Sequence, residues 1–430
     1  MLSDIPVYPL STPCVRPVEF IPVRSAKGES AIMVRDPLGI IEGQAVLSAH
    51  PILLVFLELA NGENTVEQMA ETVSRASGEI FPAQIFETIA KQLDEALLLQ
   101  SERFLAAYNA KREAFASAAV REPLVFRVPN NADRLAAIKD LSDELRRHGA
   151  GTQGPPPDLG LAPGSVRAIL APHIDYARGG HAYAWAYRAL REAGVPARTW
   201  IVLATHHHGA SHPFIATRKD YATPLGTVET DKELLDELAA EFGGELFRDE
   251  FAHAGEHTVE LQAVYLRHTF GPDTPRIVPI LVGSFEHMLH DGRSPKDDPE
   301  VMAFCAALRR VLECHGDSVG VIGGVDLSHC GPQFGEPEPV DEAREGEVEQ
   351  GDRALLTALE TGDPEAFFEA FREDLNARNV CSIAPIYCVM EALRDRARPR
   401  VLAYEQSNTQ DGSCLVSFAS VAFVAENGTA

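Results

Sequence analysis

The chain has 430 residues, with 38 basic against 63 acidic side chains and a formal net charge of −25. That balance disfavours a general nucleic-acid binder, which needs a basic face, and disfavours docking on anionic membrane. Hydrophobic residues make up 45% of the chain and charged residues 23%. Apolar runs reach about 8–10 residues, short of a membrane span.

The N-terminus, "MLSDIPVYPLSTPCVRP", has no basic stretch followed by an apolar one, so no signal peptide is expected. The seven cysteines (Cys14, Cys305, Cys314, Cys330, Cys381, Cys388 and Cys414) are odd in number and widely spaced, and none forms C-x-x-C. A disulfide framework and a zinc ribbon are therefore not expected, and the reading is a cytoplasmic protein.

Residues 1–105 read as a small separate domain, its patterned part beginning near residue 20. "SAIMVRDPLGIIEGQAVLS" alternates like a β-ribbon, with Asp36-Pro37-Leu38-Gly39 as its turn. "HPILLVFLELANG" predicts a buried helix ended at Asn61-Gly62. "TVEQMAETVSRASG" opens with a capping box, Thr65 to Gln68, and closes at Gly78. "FPAQIFETIAKQLDEALLL" places Pro82 near a first helical turn, with Ile85, Ile89, Leu93 and Leu97 as an apolar stripe. Helices plus a ribbon predict a winged-helix-like module. The stretches "VRDPLG", "NGENTVEQMAETVS" and "KQLDEALLL" resemble the PqqD-like domains that recognise leader peptides of ribosomally made, modified peptides. The resemblance implies a leader-like peptide as partner. A generic winged helix without a ligand fits the same pattern, while DNA binding would need a dense basic recognition helix that is absent.

An Ala-rich helical connector is expected over residues 106–118, followed by a domain over residues 119–430. "GTQGPPPDLGLAPG" reads as an exposed loop. Strand patterns then alternate with helix patterns: "SVRAILAPH", helix "HAYAWAYRALREAG", "RTWIVLATH", helix "DKELLDELAAEFG", "RIVPILVGS", helix "VMAFCAALRRVLECHG", "SVGVIGGVDLSH". "PRVLAYEQ" and "CLVSFASVAFV" add two late strands. The fold class expected is α/β, a mostly parallel central sheet flanked by helices.

Thirteen of the 15 histidines lie between residues 173 and 329. In open α/β sheets ligands bind beyond the carboxyl ends of the strands. Three predicted strands end in histidine-bearing loops: "APHIDY" with His173, "ATHHHGASH" with His207, and "VDLSHCG" with Asp326 and His329. "HAGEHTVELQ" adds His253, Glu256, His257 and Glu260. Neighbouring side chains on extended backbone face opposite ways, so His206 and His208 should point away from His207. Singly, each histidine could be a surface or capping residue, and Asp326 and His329 could merely tie down a loop. Three strand ends together point to a shared site.

The ordered motifs "ILAPHIDY", "ATHHHG", "DYATPLGTVETD", "GEHTVELQ", "IVPILVG", "GGVDLSHCG", "NVCSIAPIYCVMEAL" and "YEQSNTQDGSCLVSFASVAF" resemble, across residues 119–430, the Memo-like family, including AmmeMemoRadiSam system protein B. The resemblance implies a class III extradiol (LigB-type) dioxygenase-like fold and metal ligands at His173, His207 and Cys381. It places Asp326 and His329 beside the site, His257 as an acid/base or hydrogen-bonding group, and Gln406 and Ser407 near the pocket. It implies a radical SAM protein and an AMMECR-type protein as partners. The family's H-A-G-x-x-Y-P element is missing; "REPLVFRVPNNADRL" stands in its place.

Two histidines with a carboxylate would suit Fe(II) oxygenases; a thiolate as third ligand makes a softer set, with iron foremost and copper or zinc also accommodated. Cys381 could also be a small core residue at a helix start. No G-x-S-x-G elbow and no phosphate-loop fingerprint occur. The leading expectation is a metal-binding, redox-capable protein. The alternatives are a non-catalytic peptide or small-molecule binding module, and a ring-cleaving non-haem iron dioxygenase.

Overall fold

The computed structural model describes residues 5–24, 30–36, 38–41, 45–128, 133–208 and 212–425. Pro37 of the expected turn and Gly209, Ala210 and Ser211 after the histidine triplet lie outside the described residues. The chain divides into two compact units, Met1–Ala118 and Ala119–Ala430.

The first unit pairs β1 (Glu19–Arg24), β2 (Ser30–Arg35) and β3 (Ala45–Ser48) into an antiparallel sheet in that order. Helices α1 (Pro51–Leu59), α2 (Val66–Ser77), α3 (Ala83–Glu95) and α4 (Glu102–Ser117) follow. The Thr65–Gln68 capping box forms in both directions, and Gly78 ends α2 in the left-handed conformation. Pro82 lies at the N-cap, immediately before the first turn of α3. The buried stripe of α3 is Phe86, Ala90 and Leu93; Ile85 and Ile89 are only half-buried, and Leu97 lies past the helix end with φ of 59°. Phe86 takes the inner position because its ring packs on Phe56 of α1, 6.3 Å away. The connector expected over residues 106–118 is the greater part of α4, within this first unit.

One buried ion pair organises the loop after β2. Arg16 grips Asp36 through two bonds of 2.7 Å, and Asp36 also accepts from the amides of Leu38 and Ile41. Burial opposes charge on Asp36, but Arg16 outweighs it and holds the carboxyl below its usual range. Arg16→Met should therefore destabilise this unit by about 3–5 kcal/mol, because it strands a buried carboxylate. Hydrogen exchange of the intact chain should show lost protection in β2 and α1, and unchanged protection would sink the assignment.

In the second unit the elements run β4 (Val120–Arg121), α5 (Arg134–His148), β5 (Val166–Ala171), α6 (Tyr176–Ala193), β6 (Thr199–Thr205), β7 (Phe214–Ala216), β8 (Asp220–Tyr221), α7 (Lys232–Phe242), α8 (Ala252–Gly255) and α9 (Thr258–Phe270). They continue with β9 (Arg276–Val282), α10 (Glu286–His290), α11 (Pro299–His315), β10 (Val319–Gly324), β11 (His329–Cys330), α12 (Glu342–Glu360), α13 (Pro364–Glu369), α14 (Ile383–Leu393), β12 (Arg398–Asn408) and β13 (Leu415–Val424). The central sheet is ordered β11-β13-β5-β10-β6-β9-β7, with β12 paired to β13. β5, β10, β6 and β9 are mutually parallel, and the antiparallel strands stand at the margins. Two apolar clusters cover the two faces. One gathers α7, α11 and α14 around Leu203, Phe304 and Val389; the other gathers α6 and α9 around Trp200, Tyr183 and Val264. The four parallel strands carry nearly continuous buried runs, as covering on both faces demands.

The parallel centre matters for the chemistry. Strands that run the same way deliver their following loops to one edge of the sheet. His173 follows β5, His207 follows β6 and Asp326 follows β10, so three distant sequence motifs meet there.

Candidate metal centre

His173 is buried, and its backbone and ring are both tied down. Its amide donates to Asp326 Oδ1 at 2.9 Å, and Nδ1 lies 3.0 Å from the carbonyl of Gly324. A carbonyl only accepts, so Nδ1 carries the proton and the Nε2 lone pair points away. Nε2 lies 3.4 Å from Cys381 Sγ and 3.5 Å from Asp326 Oδ2. Burial, then the nearby His207 and His257, holds this imidazole well below its ordinary pKa, in the neutral form a metal ligand needs.

His207 is held by Glu256. Its amide donates to Glu256 Oε2 at 2.9 Å, and Nδ1 sits 3.2 Å from both carboxylate oxygens. Nε2 is again the ring nitrogen left for a metal. Burial opposes a charge on His207, but Glu256, then Cys381, raises it well above the usual value. A cation bound at Nε2 would compete with that proton. The His207 ring crosses His173 edge-on at 4.9 Å and stacks on His257 at 5.3 Å.

Cys381 immediately precedes the turn that opens α14. The ligand atoms of His173, His207 and Cys381 lie within 4.8 Å of one another. The donor set fits a metal ion: two ring nitrogens with fixed tautomers and one sulfur converge, and each imidazole has its other nitrogen on an oxygen acceptor. His207, Glu256 and His257 form a second close group. There the carboxylate is already engaged by the amides of His207, His257 and Thr258. That group is better read as the support for His207.

Two supporting residues lie outside the set that the motifs single out. In the sequence, Glu256 is one acidic residue in a histidine-rich segment. In the fold it accepts the amides of His257 and Thr258 at the start of α9 and the amide of His207 after β6, and lies beside Nδ1 of both His207 and His257. Burial opposes its charge, but His207 and His257 outweigh that and hold Glu256 well below the ordinary carboxylate range. The readable signal was an acid directly before the first turn of a helix. Ser382 had no signal. Its hydroxyl accepts from the Asp326 amide at 2.9 Å, bonds Thr205 at 2.8 Å and lies 3.3 Å from Cys381 Sγ. It ties together the ends of β6, β10 and the cysteine turn.

The remaining candidates divide. Asp326 is buried beside His173, its Oδ2 3.5 Å from Nε2, and burial pushes its carboxyl up to about 7. His257 sits at the start of α9, beside Glu256 and stacked on His207. His329 donates from Nδ1 to the Leu327 carbonyl at 3.0 Å; burial, then the charge on His207, lowers it to about 4. His206 and His208 pair with each other at 6.0 Å, in keeping with the alternation that turns His207 the other way. His253 and Glu260 do not join the site. His253 bonds Tyr221 and the Ile215 carbonyl, and Glu260 pairs with Arg121. Gln406, expected near the pocket, donates instead to Tyr404 and to the Glu345 carbonyl of α12, and Ser407 pairs with Val416 in the β12–β13 hairpin. β12 is a marginal strand, which carries Gln406 to the far side of β13.

The family model for Memo-like proteins matches residues 141–422. A MEMO1 family protein of Aquifex aeolicus is 26% identical over 393 residues, covering 91% of this chain and 95% of the relative, so the likeness extends into both units. A MEMO1 family protein of Thermus thermophilus is 28% identical over 343 residues, covering 79% and 93%. One from Aeropyrum pernix is 31% identical over 249 residues, covering 57% and 78%. With its motifs delivered to one edge of the sheet and the family match spanning that same region, the chain belongs to the Memo-like family.

Proposed function

We propose that the second unit is a metal-dependent redox protein in which His173, His207 and Cys381 hold a single ion, iron first, with copper or zinc as the other candidates. The observation that carries this reading is the orientation of the two imidazoles. Each has Nδ1 on a protein oxygen and Nε2 left to face the cysteine. Such an ion supplies a Lewis acid and, for iron or copper, one-electron chemistry.

The chain's own groups have separable tasks. Cys381, as the thiolate, adds a soft donor that a ring-cleaving dioxygenase of the two-histidine, one-carboxylate type lacks. Asp326, buried and poised near neutrality, can hold or release a proton beside His173. His257, at the more open side of the centre, can position a bound molecule. A radical SAM protein with an AMMECR-type partner is the proposed co-worker in the cytoplasm, and a leader-like peptide is the proposed ligand of the first unit. Both rest on the sequence resemblances.

Elemental analysis of protein purified without added metal tests the centre. The wild type should carry about one equivalent of iron or copper, and His173→Ala, His207→Ala and Cys381→Ala should each carry almost none. A metal-free wild type, or variants that retain the full content, would overturn the assignment. Oxygen uptake with a panel of catechols addresses the dioxygenase alternative, and the thiolate predicts no uptake.

A further inference from the structure

Asp352 of α12 supplies no donor atom to the metal centre, yet the loops that carry Asp326 and Cys381 both close on it. Its side chain is fully buried. Oδ1 accepts from the Ser328 hydroxyl at 2.6 Å, and Oδ2 accepts from Ser417 at 2.5 Å and from Tyr404 at 3.0 Å. Ser417 in turn accepts the Ser328 amide at 2.9 Å through its hydroxyl and the Leu327 amide at 2.8 Å through its carbonyl. The D-L-S-H loop over residues 326–329 is thereby tied to α12 and β13. On the other flank Arg378 Nε lies 3.6 Å from Asp352 Oδ1, an ion contact longer than a hydrogen bond.

Arg378 stands three positions before Cys381, in a loop whose backbone is held in an uncommon shape. Leu375, Asn376 and Asn379 have positive φ, of 50°, 62° and 50°. Asparagine visits this region more readily than most side chains; leucine does not, so the surroundings must hold the loop there. Asn376 is buried and brackets Val380, accepting its amide at 2.8 Å and donating to its carbonyl at 3.2 Å. Arg378 Nη1 donates to Asp374 at 2.8 Å. The guanidinium also lies against Gly351 of α12, so closely that a Cβ there would sit 2.7 Å from its central carbon. The Arg378 carbonyl accepts the His329 amide at 2.8 Å, and Asn379 Nδ2 donates to the His329 carbonyl at 3.1 Å. The cysteine loop and the D-L-S-H loop are thus joined to each other, and Asp352 is a side chain that both of them touch.

The backbone of the cysteine loop is not one that its own sequence favours, so the direction of Cys381 Sγ depends on anchors outside the loop. We propose that Asp352 is a positioning residue for the sulfur ligand: through Arg378 and Ser328 it fixes the cysteine loop against the D-L-S-H loop, so that Sγ meets Nε2 of His173 and His207. This rests on the ligand reading of His173, His207 and Cys381. The two imidazoles take their orientation from other groups, the Gly324 carbonyl and Glu256, so Asp352 acts on the sulfur arm of the centre and not on the nitrogen arms.

Cobalt(II) titration of the full chain tests this, with the thiolate-to-cobalt absorption reporting the sulfur arm and competition against a chelating indicator reporting affinity. The wild type should show the band. Asp352→Asn keeps the size of the side chain but removes the charge that faces Arg378. It should weaken cobalt binding about 10–100-fold, as altered partners of metal ligands do, and remove most of the band. Where Asp352→Asn does not fold, Gly351→Ala decides. Alanine favours a helix interior over glycine, so its melting temperature should hold or rise, while the new Cβ displaces the Arg378 guanidinium and should diminish both band and affinity. Glu349→Gln, exposed on the same helix and paired with Arg353, should change neither. Wild-type band and affinity in the folded variants, even with a lowered melting temperature, would make Asp352 a stability residue only and overturn the proposal. A wild type that binds cobalt without a thiolate band would overturn the ligand reading itself, so the two failures are distinct.

Discussion

Arg121→Met should lower the stability of the second unit by about 3–5 kcal/mol, the cost typical of stranding one partner of a buried ion pair. The side chain is 1% exposed and its partner Glu260 is fully buried. Arg121 also donates to the Glu256 carbonyl at 2.8 Å and the His253 carbonyl at 3.0 Å, and lies over the Tyr221 ring. Glu260 accepts further from the amides of Leu124, Val125 and Phe126. The pair thus straps the segment after β4 to α9 and caps the short α8. Methionine fills the space but leaves a buried carboxylate and two carbonyls without their donor. In scanning calorimetry of the whole chain, the transition of the second unit should fall by on the order of 10 °C. Arg121→Met/Glu260→Met should recover only part of that loss: it removes the stranded charge but leaves the amides of Leu124, Val125 and Phe126 without their acceptor. A single variant within 2 °C of the wild type would refute the strap.

This strap also explains why one sequence motif misled. "HAGEHTVELQ" offered four candidate groups, and helical spacing alone cannot tell which face of a helix meets a site. Glu260 falls one turn after Glu256, on the face that the segment over residues 121–126 covers, so its carboxylate serves backbone amides. His253 is turned to Tyr221 on β8 by the same packing. Both outcomes depend on a partner more than 30 positions away in sequence. The convergence of His173 and His207 was legible for the opposite reason: a buried strand pattern has a direction, and its end marks the edge where parallel strands place their loops. Cys381 was legible only through family motifs, because nothing local distinguishes it from Cys388, which is buried in the core. Ser382 was hidden because a serine at a helix start reads as a cap, whereas here it joins three loop ends. Likewise, two late strands were readable as strands, but their antiparallel place beyond β5, which moves Gln406 away from the centre, was not.

Glu256→Gln should weaken metal binding by the second unit about 10–100-fold, the range typical when a partner of a ligating histidine is altered. The carboxylate performs two tasks: it fixes His207 as the Nδ1–H tautomer, and it accepts the amides that shape the start of α9. Glutamine keeps one acceptor oxygen and turns the other position into a donor, which faces the amides it formerly received. His207 then loses its fixed orientation, and its Nε2 reaches the site with a less basic ring. Cys381 and His173 do not touch Glu256 through any of these bonds, so their donor atoms should remain in place. Competition against a chelating indicator would measure the affinity. Cobalt(II) substitution would then separate the two consequences: the thiolate-to-cobalt absorption should persist in Glu256→Gln and vanish in Cys381→Ala. Loss of the thiolate band in Glu256→Gln would mean that the whole loop edge has collapsed. Unchanged affinity would mean that His207 is oriented by its neighbours His173 and His257 rather than by the carboxylate behind it.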